Sequence, residues 1–444
     1  MIQQERLQIL KEGQPGKGDY VLYWMQASVR TRFNHALEYA AEQANDLGLP
    51  LIVAFGLTPG YPEANERSYA FLLEGLRDVQ RNLKERGIVF VLRLGHPPEV
   101  ILALATRASL VVTDRAYLQP SRSWRTWLAE RLDVPLIQVE SDAVVPIETA
   151  SGKLEWAART IRPKIHKRMD GFLVPLEPCP VKVNSLGLIA GVDVSDPAEV
   201  LKTLDIDRSV PPGEERGGED AAQARLSAFV KDGLNHYDER RNNPLVDGAS
   251  RLSAYLHYGH LSPIDAILQA REAGAAGLDA FTEELVVRRE LSFNLCFYNP
   301  RYADYDGLPE WCRKTLAEHQ DDKREHLYTR AELEAARTHD PYWNAAQNQM
   351  VRTGRMHNYL RMYWGKKVLE WSATPQEAYA VLVQLNNKYE TDGRNANSYA
   401  GINWVFGNHD RPWARRPIFG TVRYMAASGL KRKFDADAYA KKWA

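Results

Sequence analysis

A chain of 444 residues is too long for one ordinary domain, and a hydrophobic content of 44% is enough for two sizeable cores. With 57 basic and 57 acidic residues the formal net charge is zero, which excludes a protein that is basic all over. Three cysteines, Cys179, Cys296 and Cys312, with no CxxC spacing exclude a disulfide framework or a cysteine metal site and suit a reducing compartment.

The N-terminal MIQQERLQILKEG is polar and carries acids, so it reads as neither a signal nor a transit peptide, and no apolar run nears the length of a membrane span. A cytoplasmic protein is expected. The apolar β-rich runs Tyr20–Trp24, Leu51–Phe55, Val89–Leu94, Leu110–Thr113 and Leu136–Val139 are predicted strands. Their continuous apolar character and long spacings call for crossover helices and a parallel sheet buried on both faces. Asn34–Leu47 and Ala64–Glu85 are the clearest amphipathic crossovers. A doubly wound, Rossmann-like α/β domain over residues 1–140 follows, although no glycine-rich dinucleotide fingerprint comes after its first strand.

Residues 141–218 read as a connector, with a short helix around Ala157–Met169 and a final PPGEERGGED of surface-loop composition. Helical periodicity dominates residues 219–444, broken at prolines such as Pro244, Pro263, Pro300, Pro341 and Pro375, and predicts a large all-helical domain. Within it, Ala254–His260 opens a helix after ASRLS. Ser250 and Ser253 can present hydroxyls and backbone N–H groups to an anion there, or Ser253 is an ordinary N-cap.

The stretch Thr338–Trp371 sets three tryptophans among histidines, amides and arginines on what reads as two helices. Trp364 and Trp371, seven residues apart, are separated by about two turns and roughly 10 Å on one face. That spacing suits electron hopping between rings, and it also suits core packing. Arg411 to Lys433 holds seven basic residues and no acidic one, interleaved with Trp413 and Tyr424. Such a run is a solvated face or a phosphate-binding surface.

YWMQASVRTRFNHAL, EWAARTIRPKIHKRM, HYDERRNNP with ASRLSAYLHYGHLSP, EELVVRRELSFNLCFYNP, and HDRPWARRPIFGTVRYM with LKRKFDADAY follow one another along nearly the whole chain. In these blocks and their order the chain resembles the DNA photolyase and cryptochrome family, and within it the class II cyclobutane pyrimidine dimer photolyases. It departs from their pattern in a Trp404–His409 segment one residue short and in Asn358, where many have glycine.

The resemblance implies light-driven repair of UV-damaged DNA by a monomeric lyase that uses FAD. It places Tyr237, the phosphate loop Ala249, Ser250, Arg251, Leu252 and Ser253, Asn358, and the pair Arg361 and Asp392 around the flavin. A buried pair of that kind is expensive to desolvate and is better explained by a task than by stability. Asn386 would face the reactive ring nitrogen, its neighbour Asn387 leaving the register open. Electrons would run through Trp364 and Trp343, with Trp371 the outer member or a side branch.

Glu284, or Glu283 if the register slips, matches the acid at the lesion's carbonyl edge. Met362 and Trp404 match residues that pack against the flipped lesion, and Arg411, Arg415, Arg416, Lys431 and Lys433 would grip flanking phosphates. No metal is expected. The family often carries a second, light-harvesting chromophore in the strand-end crevice, of unspecified identity here. The rivals are repair of the (6-4) photoproduct, which wants a histidine acid, and a light sensor without repair, which often carries a long C-terminal tail that a chain ending at Ala444 would lack.

Overall fold

The computed structural model describes residues 2–246 and 248–444. The chain divides into two units: residues up to Gly152 with Ile165–Lys231 and Arg251–Gly274 form the first, and Lys153–Lys164, Asp232–Ser250 and Ala275–Ala444 form the second.

The first unit is built on a six-stranded sheet of β1 (Leu7–Lys11), β2 (Tyr20–Trp24), β3 (Leu51–Leu57), β4 (Val89–Leu94), β5 (Ala108–Asp114) and β6 (Leu136–Val139), in the order β1-β6-β5-β2-β3-β4. All pairings are parallel except β1 with β6. Every residue of β2, β3 and β5 is buried, because alternate side chains enter different cores. Val21, Tyr23, Val53 and Phe55 join the core under helices His35–Leu47 and Glu66–Glu85. Leu22, Trp24, Ile52 and Ala54 join the core with Ile101 and Leu128 of helices Pro97–Ala105 and Gln119–Arg131.

The five predicted strands and both crossover helices are present. Asn34 caps the first of those helices, accepting from the Leu37 N–H. β1 was not predicted. It is an antiparallel edge strand whose side chains stay partly exposed, so it has no buried apolar run to betray it. The PPGEERGGED loop is also more than surface: Gly217 and Gly218 are buried, and a Cβ would come within 2.1 Å of the Phe71 carbonyl oxygen at the first and 2.2 Å of an Asp78 carboxyl oxygen at the second. His260 Nδ1 accepts the Gly218 N–H at 3.0 Å.

The sheet's switch point lies between β2 and β5, which have crossovers running in opposite directions. There the carboxylate of Asp114 accepts the N–H groups of Gln26, Ala27 and Ser28 at 2.9, 3.0 and 2.9 Å and pairs with Arg125 at 2.7 Å. The chain's own acid thus fills this nest of donors.

In the described residues of the second unit the regular structure is helical. Proline opens helices Pro341–Thr353 and Pro375–Tyr389, where its missing N–H is harmless, and Asp340 and Thr374 cap them. Gly365 lets helix Asn358–Trp371 approach helix Ala396–Val405 closely, since a Cβ there would lie 2.4 Å from Val405 Cγ2. All three cysteines are free thiols. No helix among the described residues is long and apolar enough to cross a membrane.

Candidate functional site

The three expected tryptophans come together, in an arrangement that the sequence spacing alone does not give. Trp343, on helix Pro341–Thr353, stands between the two indoles of helix Asn358–Trp371. Its ring stacks on that of Trp364 at 6.3 Å between centroids and 11° between planes, and meets that of Trp371 at 5.8 Å and 65°. The same-helix pair is therefore joined through Trp343. All three are buried. The two inner indoles are pinned by hydrogen bonds: Trp364 Nε1 donates to Gln347 Oε1 at 2.9 Å, and Trp343 Nε1 to the Trp364 carbonyl at 3.0 Å. Trp371 in turn meets His339 at 5.1 Å and Tyr328 at 5.5 Å, both at or near the surface. The result is a run of aromatic rings from the interior to solvent.

Three residues before Trp364, Arg361 Nη2 donates to Asp392 at 3.1 Å and to Glu390 at 2.9 Å. Asp392 was expected; Glu390 was not. One guanidinium serves two buried carboxyls, and burial, with Asp392 beside it, pushes the Glu390 carboxyl up to about 8 against the pull of Arg361. Asn386, buried on the preceding helix, accepts the Glu390 N–H on its carbonyl at 3.0 Å and donates from Nδ2 to Asn387 Oδ1 at 3.1 Å. Asn387 Oδ1 also accepts the N–H of Arg394, which has φ of 60°. That second bond commits Asn387 to the backbone turn. Asn358 is exposed at the start of its helix, whose cap is His357.

Tyr237 is buried edge-on to Phe281 at 5.8 Å, with the Arg241 guanidinium 5.8 Å over its ring. Ala249 and Ser250 end one segment of the helical unit, while Arg251, at φ 59°, opens a segment of the first unit. The helix that follows is only Ser253–His257, and its cap position is Leu252, so Ser253 is its first residue and not its N-cap.

Glu283 and Glu284 sit on a π-helical turn, Glu283–Arg288, between helices Leu278–Thr282 and Arg289–Tyr298. Single π turns are frequent at functional sites. Glu284 pairs with Arg241 at 2.6 Å. Glu283 is taken by Arg162, through two bonds of 2.8 Å, and by Arg288 at 2.9 Å. Trp404, half-buried on helix Ala396–Val405, lies under the Arg288 guanidinium at 5.5 Å and meets His409 edge-on at 6.5 Å. Met362 is half-buried. Neither Arg162 nor Arg288 was singled out from the sequence, although each lies in one of the blocks that carry the resemblance.

The basic run does meet acids in space. Arg415 pairs with Glu318 at 3.3 Å and Lys431 with Asp437 at 3.2 Å, while Lys433 is exposed. Trp413, 41% exposed, lies between Arg411 at 5.3 Å and Arg423 at 5.0 Å, and Arg416 covers Tyr424 at 5.0 Å. Aromatic faces interleaved with cations suit a nucleic-acid strand.

Residues 21–182 match the family model described as DNA photolyase. The chain is 49% identical over 440 residues to a deoxyribodipyrimidine photo-lyase of Methanothermobacter thermautotrophicus, an alignment that covers 99% of this chain and 98% of that one. The chain belongs to the DNA photolyase family. A second photolyase, from Oryza sativa subsp. japonica, is 42% identical over 98% of this chain and 89% of its own. Among solved structures, a class III photolyase from Agrobacterium tumefaciens superposes with a TM-score of 0.74 over 96% of this chain and 86% of that one. At 19% identity that likeness concerns the fold alone.

Proposed function

We propose that this photolyase is a deoxyribodipyrimidine photo-lyase: it splits the cyclobutane ring that joins adjacent pyrimidines in UV-damaged DNA, driven by light and with FAD as cofactor. The reading is carried by full-length identity of 49% to an enzyme of that name.

The donor set around Arg361 suits FAD. A guanidinium, two carboxyls of which Glu390 holds its proton to about pH 8, and the buried Asn386 amide offer both donors and acceptors to the edge of a flavin ring. Arg361, Asp392, Asn386, Asn358 and Tyr237 would hold the cofactor, with Ala249 and Ser250 of the same unit. Reduced FAD, held there, would supply the light-driven one-electron chemistry that opens the cyclobutane ring.

The chain's own residues do the rest. Trp364, Trp343 and Trp371 carry charge between the interior and solvent. Trp404 and Met362 receive the extruded dimer, which stacks and pairs poorly and so costs less to flip than normal bases; photolyases are a standing example of such base flipping. Glu284 meets the lesion's carbonyl edge together with the Arg241 guanidinium that it pairs with at 2.6 Å, and the pair, with its cation, stabilises the negative charge that appears there. Arg411, Arg415, Arg416, Lys431 and Lys433 hold phosphates without reading sequence.

Repair of the (6-4) photoproduct asks for a histidine acid. His409, the histidine beside Trp404, donates from Nδ1 to the Trp156 carbonyl at 2.8 Å, and burial pulls its pKa down to about 4. A ring that is neutral at working pH does not serve as that acid.

The test is a visible absorption spectrum of the purified protein followed by blue-light treatment of a duplex with one cyclobutane dimer. Flavin bands and light-dependent loss of dimers are expected. A flavin-loaded protein with neither repair nor preference for the dimer duplex would leave the light-sensor reading.

A further inference from the structure

The π-helical turn at Glu283–Arg288 makes a contact that an unbroken α-helix would not. In an α-helix, residues three and four apart share a face, while those five apart do not. A π turn adds one residue and brings i and i+5 into register. Here these are Glu283 and Arg288, joined from Arg288 Nε to Glu283 Oε1 at 2.9 Å. The same carboxylate takes a bidentate fork from Arg162, which is brought in by the segment Lys153–Lys164. Two guanidiniums on one carboxylate leave a net positive charge. That charge is aimed, since the Arg288 guanidinium lies 5.5 Å over the indole of Trp404.

The helix that carries the indole, Ala396–Val405, is braced as well. Buried Lys366 donates to the Val405 carbonyl at the helix C-terminus, and His409, held by the Trp156 carbonyl, meets the Trp404 ring edge-on. With one face under Arg288, a base that stacks on Trp404 must take the other face.

We propose that Arg288 is a positioning residue that sets lesion specificity: locked by Glu283 and Arg162, it fixes the plane of Trp404 so that the free face of the indole accepts the extruded dimer. The proposal rests on the reading of Trp404 as the lesion platform. It makes the π turn part of the recognition device, because an α-helical turn would swing Arg288 off the ring.

A double-mutant cycle tests it. Trp404→Ala, Arg288→Ala and the double variant of the full chain are titrated with a dimer duplex and its undamaged twin, over a range of salt concentrations. Trp404→Ala is expected to reduce the preference for the dimer by roughly tenfold. Arg288→Ala should remove most of that same preference, and the double variant should do no worse than Trp404→Ala. Arg288→Lys keeps the charge and loses the planar stack. It should keep the parent's salt dependence yet discriminate poorly, which separates positioning from simple charge. Unchanged binding of undamaged DNA controls for folding in each variant. Additive losses in the double variant would overturn the proposal, as would a lower salt slope in Arg288→Ala with the dimer preference intact; both would make Arg288 an independent phosphate contact. Should Trp404→Ala alone keep the parent's preference, the platform reading falls first, and that is visible before any Arg288 variant is measured.

Discussion

Trp343 and Trp364 lie face to face inside the helical unit with no cation over either ring among the described residues, whereas Trp404 and Trp413 in the same unit lie under guanidiniums. The two sets share a residue type and differ in solvation and charge. A cation over an indole disfavours loss of an electron from that ring, because it places two positive charges together. The uncharged, buried pair is the one suited to conduct. For a ring that meets DNA the same cation is an advantage, since it adds up to about 2 kcal/mol of attraction when desolvated and draws phosphate close. Trp371 is intermediate: Lys367 lies 5.7 Å from its centroid, but Glu370 neutralises that ammonium at 2.6 Å.

The largest effect should come from breaking the stack. Trp364→Phe is expected to block light-driven reduction of oxidised flavin, and Trp343→Phe to do the same, because among the described residues the Trp364 ring reaches that of Trp371 through Trp343. Both variants should still bind dimer DNA and repair it once reduced chemically. Photoreduction at the parent's rate in Trp343→Phe would remove it from the route.

On the charged side, Trp404→Ala should weaken binding to a dimer duplex by about 1 to 3 kcal/mol and spare undamaged DNA, the usual result of losing one stacking platform. Glu284→Gln should separate from it, with binding nearly kept and fewer dimers split per absorbed photon, because its carboxyl acts after the electron arrives. Loss of affinity in Glu284→Gln equal to that in Trp404→Ala would place the acid in recognition instead.

How far the sequence reached differs between these regions for physical reasons. β2, β4 and β6 were legible to their end residues because apolar runs buried on both faces leave a local signal. β1 lay outside that signal as a partly exposed edge strand. The packed glycines Gly217 and Gly218 looked like loop, since what constrains them is the distant backbone and carboxylate of helix Glu66–Glu85. At the site, the family resemblance points to the Arg361–Asp392 pair and to the tryptophans, with Trp343 after Trp364 and Trp371 outermost or a side branch, whereas spacing alone shows Trp364 and Trp371 on one helix and not that Trp343, on another, stands between them. Glu390 follows the last turn of a helix, where no period marks it. The π turn is equally silent, because EELVVRRE reads as continuous helix and the extra residue changes its geometry without changing its composition.

Three residues before Trp364 on the same helix lies the Arg361 centre, which stays near neutral only while Glu390 keeps its proton. Glu390 has a folded pKa of about 8 against an unfolded value of 4.5, so the folded state holds a proton that the unfolded state releases. Its effect is therefore a loss of stability as pH rises from about 4.5 through 8, with the full stability present below that window. Glu390→Gln mimics the protonated acid and should abolish this loss. Unfolding midpoints of parent and variant measured at pH 5 and pH 9 check it: the variant's advantage should be small at pH 5, near the start of that window, and much larger at pH 9. Equal midpoint shifts at both would mean that Glu390 is ionised throughout, and that the centre next to the stack is charged.

The smallest expected effect concerns the rim of the charged side. Arg415 pairs with Glu318 at the surface, and such exposed pairs contribute about 0 to 1 kcal/mol, so Arg415 can exchange that carboxylate for a phosphate at little cost. Arg416→Ala and Arg415→Ala should each lower the slope of log affinity against log salt by about one unit, on damaged and undamaged duplexes alike. Trp413→Ala should weaken binding while leaving that slope unchanged, because an indole releases no counterion. Measured together, the three slopes separate stacking from charge on this face. Unchanged slopes in both arginine variants would return the run to a solvated surface. A slope that falls in Trp413→Ala would mean that the indole serves to hold Arg411 and Arg423 in place, making the ring a scaffold for cations rather than a platform for a base.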